Sequence, residues 1–348
     1  YEHCDESSAD DIKRNRGVIR DEQNVICQSF GYTPEYDVHD PTWRARVAGC
    51  LQNCTIFRSE EGTLLRLYFY QNKWCLSTHK RLNAFESRWS SPKSFGEQFV
   101  DALEYFFLQG DGRGRLAVEE RAECFDRFCA TLDRECVYTF LLRTNADTKI
   151  VCAAPDHPVV YFAGMFYHGM RCEGNPTLIP YPLRVWFESA DDLAMYVATL
   201  EAHRHQGVIV FMTDQTVFKI MNPQYTAFAK LRGSEPNLLR AYLRIRQSET
   251  DVAAFLELFP ERRAMASEFE EEILALGVRL HKYYARRFIH KQHLVVNKNY
   301  FWMMRQAHEW HCADRVHHLV TVHKMLELLD QQTPSFLYTL LHTPDVLE

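Results

Sequence analysis

Residues 56–66 read Ile-Phe-Arg-Ser-Glu-Glu-Gly-Thr-Leu-Leu-Arg, IFRSEEGTLLR. Short apolar segments stand on either side of Ser59-Glu60-Glu61-Gly62-Thr63, so the stretch reads as strand, tight turn, strand. The same kind of run, rich in Val, Ile, Tyr and Phe, recurs outward from it at 64–70 (LLRLYFY), 136–142 (CVYTFLL) and 207–212 (GVIVFM). These runs predict strands. Helical spacing is sparse up to about residue 225: 97–108 after Ser94, 116–132, and 191–203 after Ser189. Each of these three has apolar repeats near 3.6. The expectation for this part is therefore α+β, mainly antiparallel sheets with flanking helices.

Beyond Gly233-Ser234-Glu235-Pro236 the pattern changes. Phe269, Ile273, Leu276, Leu280 and Tyr283 or Tyr284 form one stripe of an amphipathic helix, and further helices are expected over 299–311 and 316–329. We expect two domains, 1–235 and an all-α 236–348. The 348 residues are 46% hydrophobic and 25% charged, which suits a chain with a full core and argues against disorder. A net charge of −6 removes any argument from global charge for nucleic-acid binding. No run approaches the roughly 20 apolar residues of a membrane span. Eleven scattered cysteines fit reduced thiols, and with them a cytoplasmic location, better than a disulfide framework.

The order of short motifs around residues 56–66 resembles the covalent nucleotidyltransferase superfamily of RNA ligases, DNA ligases and mRNA capping enzymes, most closely the phage-type RNA ligases. Arg16-Gly17-Val18-Ile19 stands where that family has an upstream Arg-Gly strand. Ser59-Glu60-Glu61-Gly62-Thr63 stands at its Lys-x-Asp-Gly-Thr motif, and Trp74-Cys75-Leu76-Ser77-Thr78 at its Trp-x-x-x-Thr strand. The third motif would fall on 138–142 with a turn and return strand at 145–151, the fourth on Gln206-Gly207-Val208-Ile209, and the fifth on Lys219-Ile220-Met221. The resemblance covers about residues 14–232. It implies a ligase adenylation fold followed by a helical domain, as phage-type ligases also have.

Position by position, the resemblance implies lost chemistry. The family's lysine attacks the α-phosphate of ATP or GTP; here the position holds Ser59, whose hydroxyl has no base beside it in sequence. The acids of the third and fourth motifs become Leu141 and Gln206, which supply no charge to a divalent cation. The second lysine of the fifth motif becomes Met221, although Lys219 is kept. Arg16, Glu61, Gly62, Lys80, Arg81 and Lys219 remain as candidate nucleotide or phosphate contacts. The reading is a degenerate, catalytically inactive pseudoenzyme of a kind associated with large DNA viruses, binding RNA or other proteins of an assembly. It requires no cofactor, and ATP and Mg²⁺ only if ligase activity is retained. The alternatives are a structural or virion-associated component of a large virus particle, or a live ligase using another lysine, with Lys73 and Lys80 the nearest amines.

Two further features stay outside this reading. His308, His311 and Cys312 are weak zinc candidates at helical spacing, without a paired Cys-x-x-Cys. The basic run Arg286-Arg287-Phe288-Ile289-His290-Lys291 suits either a grip on a phosphate backbone or the solvated end of a helix.

Overall fold

The computed structural model describes residues 4–22, 24–108, 118–144 and 149–344. The chain divides into two compact units, Tyr1–Lys230 and Leu231–Glu348. The first contains, in order, α1 (Asp10–Asn15), β1 (Ile19–Asp21), β2 (Asn24–Cys27), β3 (Glu35–Asp37), α2 (Pro41–Val47), β4 (Thr55–Ser59), β5 (Thr63–Tyr70) and β6 (Lys73–Thr78). There follow α3 (Phe95–Leu108), α4 (Val118–Ala130), β7 (Cys136–Arg143), β8 (Val159–Tyr167), β9 (Met170–Cys172), β10 (Arg184–Val185), α5 (Ala190–Thr199), β11 (Gly207–Phe211), β12 (Val217–Met221) and α6 (Pro223–Arg232).

Two five-stranded sheets carry this unit, ordered β10-β4-β11-β12-β3 and β6-β5-β7-β8-β9. All pairings are antiparallel except β12 with β3. Strand alternation sorts the faces of the first sheet. Ile56, Val208, Val210, Phe218 and Ile220 enter a core with Trp43 and Val47 of α2 and Leu193 and Val197 of α5. The intervening Phe57, Ile209, Phe211 and Lys219 face a cavity instead. In the second sheet Leu65, Leu67, Tyr138, Phe140 and Val160 pack with Phe99 and Leu103 of α3. Each sheet is thus clad by helices on one face, and the cavity lies between the two. The turn at residues 59–63 is where the chain passes from one sheet to the other: β4 ends at Ser59 and β5 begins at Thr63.

The second unit is helical: α7 (Leu238–Ile245), α8 (Glu249–Leu258), α9 (Arg263–Tyr284), continued by a π-helical turn at Ala285–Ile289, then α10 (Lys298–Ala313), α11 (Val322–Asp330) and α12 (Pro334–His342). The expected stripe is buried at Ile273, Leu276, Leu280 and Tyr284, on the helix that packs with α10 and α11, where Met303, Met325 and Leu329 are also buried. Arg246, which caps the C-terminal end of α7, joins three helices by pairing with Glu270 of α9 at 2.7 Å and with Asp330 of α11. One helix starts later than its periodicity suggests. Residues 316–321 are not helical, because Asp314 Oδ1 accepts the amides of Val316 and His317, and Thr321 caps α11 by accepting Lys324 N–H at 3.2 Å. Of the turn and return strand expected at 145–151, residues 145–148 lie outside the described residues, and 149–151 form no strand because the amides of Ile150 and Val151 donate to Glu61. Among the described residues no helix is long and apolar enough to cross a membrane.

Gly207 opens β11 at φ +145°, and a Cβ there would sit 2.1 Å from the Ile220 carbonyl oxygen of β12. Gly207→Ala forces the hairpin apart, and chemical denaturation is expected to show a loss of roughly 1–3 kcal/mol.

Candidate functional site

The cavity between the sheets has a volume of about 350 Å³. Of the residues singled out from the sequence it gathers Arg16, Ser59, Gly62, Leu141, Gln206 and Lys219. Its walls are aromatic: Phe30, Phe162 and Phe211 line it, and Phe57 stacks on Tyr181 at 5.1 Å with planes 14° apart. The β11–β12 hairpin sets Ile209 opposite Lys219 and Gly207 opposite Met221, and β4 sets Ser59 opposite Gly207, so the fourth and fifth motif positions meet the turn of residues 59–63.

A single side-chain amide organises the polar end. Gln206 Oε1 accepts Ser59 Oγ–H at 2.8 Å and Lys219 Nζ at 3.2 Å. Gln206 Nε2 donates to Tyr225 Oη at 2.8 Å, and Tyr225 O–H in turn donates to Glu61 at 3.1 Å. Burial, then the neighbouring Glu61 charge, push the Tyr225 phenol well above its ordinary value, so it remains the donor. This position therefore needs an acceptor and a donor on one side chain, which an amide supplies and a carboxylate does not.

Ser59 is buried and its proton goes to an amide oxygen, not to a base. The cavity's two carboxylates are both matched by cations. Glu35 holds Lys219 Nζ at 3.0 Å. The buried Glu60 holds Arg58 Nε at 2.9 Å and Arg143 Nη1 at 2.7 Å. At the two positions where the family's metal-binding acids would stand, Leu141 lines the cavity with an alkyl group and Gln206 with a neutral amide. This donor set does not fit a divalent cation.

Several expectations need correction. Glu61 does not face the cavity: its carboxylate accepts the amides of Ile150, Val151 and Cys152 at 2.8, 2.9 and 3.1 Å, because three consecutive N–H groups there converge on one anion. Gly62 is needed for close approach, since a Cβ would lie 2.5 Å from the Leu142 carbonyl oxygen. Lys80 and Arg81 are exposed on the segment after β6, outside the cavity lining, where Thr78 Oγ1 accepts both their amides. Met221 is buried at the end of β12 and also lies outside the lining. Lys73 is exposed and not in the cavity lining.

In the second unit His311 Nδ1 is held by the His318 carbonyl at 2.6 Å and His308 stacks on Phe288 at 4.2 Å, with Cys312 Sγ 3.6 Å from its Nε2. Among the described residues no group of three His, Cys, Asp or Glu side chains is placed to hold a metal ion. Sequence reasoning missed Glu35, Glu60, His79, Arg143 and Tyr225. Only Glu60 had a local signal, an acid two residues from Arg58 in a strand-to-turn segment; the others arrive from distant elements.

No protein-family model matches the chain. It is similar to an immediate-early protein ICP-46 homolog of Invertebrate iridescent virus 6, 26% identical over 85% of this chain and 67% of that protein. A second such homolog, from Invertebrate iridescent virus 3, is 27% identical over 81% of this chain and 62% of its own. ICP-46 of Frog virus 3 is 25% identical over 70% of this chain and 62% of its own length. The chain thus spans a little under or about two thirds of the length of the curated relatives it matches. Among solved structures, an RNA ligase of Naegleria gruberi with AMP and Mn aligns with TM-score 0.37 at 8% identity, over 57% of this chain and 58% of that one. A chain from Aquifex aeolicus assigned as an ATP-dependent DNA ligase aligns with TM-score 0.40 at 9% identity, over 76% and 68%. Likenesses of this size carry no weight for function.

Two outcomes test this geometry. Gln206→Glu removes the donor to Tyr225 and sets two carboxylates on one phenol. The loss expected in denaturant titration is roughly 1–2 kcal/mol, and Tyr225→Phe should cost clearly less in that background than in the wild type. His79, which lines the cavity, is held down to about 3 by burial and then by Arg66 and Arg16, against an ordinary 6.5. Unfolding lets it protonate, so its contribution is full above pH 6.5 and lost as pH falls from there toward 3. In His79→Gln, stability should fall less steeply across that window.

Proposed function

We propose that the chain is a ligase-derived pseudoenzyme: a nucleotidyltransferase-like unit that performs no nucleotidyl transfer and serves as a binding scaffold. The observation that carries the reading is the Gln206 network. Several positions that carry chemistry in the resembling family, Ser59, Leu141, Gln206 and Lys219, stand around one cavity, and there they are joined in a neutralised, hydrogen-bonded arrangement. The motif order and the meeting of these positions support descent from a ligase-like site. The residues themselves support its retirement: a hydroxyl that donates to an amide, a lysine shared between Gln206 and Glu35, and a lining whose carboxylates, Glu35 and Glu60, are each paired with a cation.

The cavity keeps what non-covalent recognition needs. Aromatic walls suit a planar group, and Arg16 suits an anionic one. A small ligand bearing a ring and a phosphate matches this lining without a metal.

Incubation with labelled ATP or GTP and Mg²⁺ or Mn²⁺, followed by denaturing electrophoresis, is expected to give no covalent adduct. An adduct that maps to any lysine overturns the proposal. The set Ser59→Lys, Leu141→Glu, Gln206→Glu and Met221→Lys asks the converse question, and adenylation gained by it would support the motif placement.

A further inference from the structure

Between Glu272 and Glu309 the sequence contains no Asp or Glu and seven Lys or Arg, in a chain whose net charge is −6. These cations fall on three consecutive elements of the helical unit: Arg279 and Lys282 on α9, Arg286 and Arg287 in the π-helical turn, Lys291 just after it, and Lys298 and Arg305 on α10. Among the described residues only Arg305 forms an ion pair, with Glu309 at 2.7 Å. Cations near the end of α9 are explained by its macrodipole, but Lys298 is not. It occupies the first position of α10, where the helix field disfavours positive charge.

The fold draws these cations together. Arg287 lies over the Phe301 ring at 4.7 Å, and Phe288 stacks on His308 at 4.2 Å. Phe301 and His308 bracket Arg305 along α10, so the π-helical turn runs beside the exposed face that carries Lys298, Trp302 and Arg305 at spacings of four and three. The turn is held there by Arg286 Nε donating to Gln292 at 3.1 Å and Arg287 Nη1 donating to the Leu294 carbonyl at 2.8 Å. Burial is the first cause, and the charge of Lys291 a lesser one, that keeps the His308 imidazole below its ordinary value. On the α10 face Trp302 is 42% exposed and is braced edge-on by Phe336 at 5.1 Å.

We infer that this surface of the helical unit, the exposed α10 face of Lys298, Trp302 and Arg305 together with Lys291 at the end of the π-helical turn, binds single-stranded nucleic acid. The cations meet backbone phosphates, and the indole offers a face on which an unpaired base stacks. An acidic peptide would use the cations but not the ring, and a duplex keeps its bases stacked away from it. The surface belongs to the second unit and stands whatever fills the cavity of the first.

The test is fluorescence anisotropy of the whole chain with labelled oligouridine and its DNA counterpart across a salt series. Lys291→Ala with Lys298→Ala is expected to weaken binding about ten-fold and to reduce the salt slope by roughly 0.7 for each phosphate contact removed. Trp302→Ala is expected to weaken single-strand binding several-fold, and Trp302→Tyr to retain it. A control pair of equal charge loss elsewhere, Lys73→Ala with Arg127→Ala, should change neither quantity. The inference is overturned if the wild type shows no salt-dependent binding, if the control pair loses as much, or if a duplex or polyglutamate binds as tightly as the single strand.

Discussion

The side-chain amide of Gln206 accepts from Ser59 and Lys219 and donates to Tyr225. Through these bonds it ties together the end of β4, the middle of β12 and the first turns of α6. Tyr225 extends the chain to Glu61, and Glu61 clamps the backbone of residues 150–152. One polar path thus runs from the wall of the cavity to the segment that returns from β7. Buried hydrogen-bonded networks of this kind hold a unique arrangement because each member, once deprived of its partner, is left buried and unsatisfied.

The same network sets what the side chains of the cavity can do. A nucleophile must be able to lose its proton, and Ser59 has only an amide oxygen to receive it. A metal needs unshared negative charge, while Glu35 and Glu60 are each matched by a basic partner. An acid at 206 would set Tyr225 between two carboxylates, so the network as it stands depends on an amide at that residue.

The two units differ in where their charge resides. In the first, Arg58, Arg143 and Lys219 are paired with Glu60 and Glu35 beside a cavity. The second leaves a run of cations on adjoining elements with almost no acid between. A net charge of −6 says nothing of this, because electrostatic recognition depends on local field and not on the sum.

The sequence by itself determined the strand-rich first part, the helical second part and the stripe of Ile273, Leu276, Leu280 and Tyr284, since these follow from local periodicity and breaker residues. It also identified Ser59, Leu141, Gln206 and Lys219 by motif order, and the structure gathers them at one cavity. Glu61, Lys80 and Arg81, expected as nucleotide or phosphate contacts, lie outside the cavity lining, and residue type says nothing of which way a side chain turns near a strand end. Only the tertiary structure decided that Glu61 serves three backbone amides, that Glu35 neutralises Lys219 across 184 positions of chain, and that Tyr225 makes an amide necessary at 206. The physical reason is that periodicity is a property of neighbours along the chain. Proton donors and acceptors find their partners in space, after the sheets have brought distant segments together.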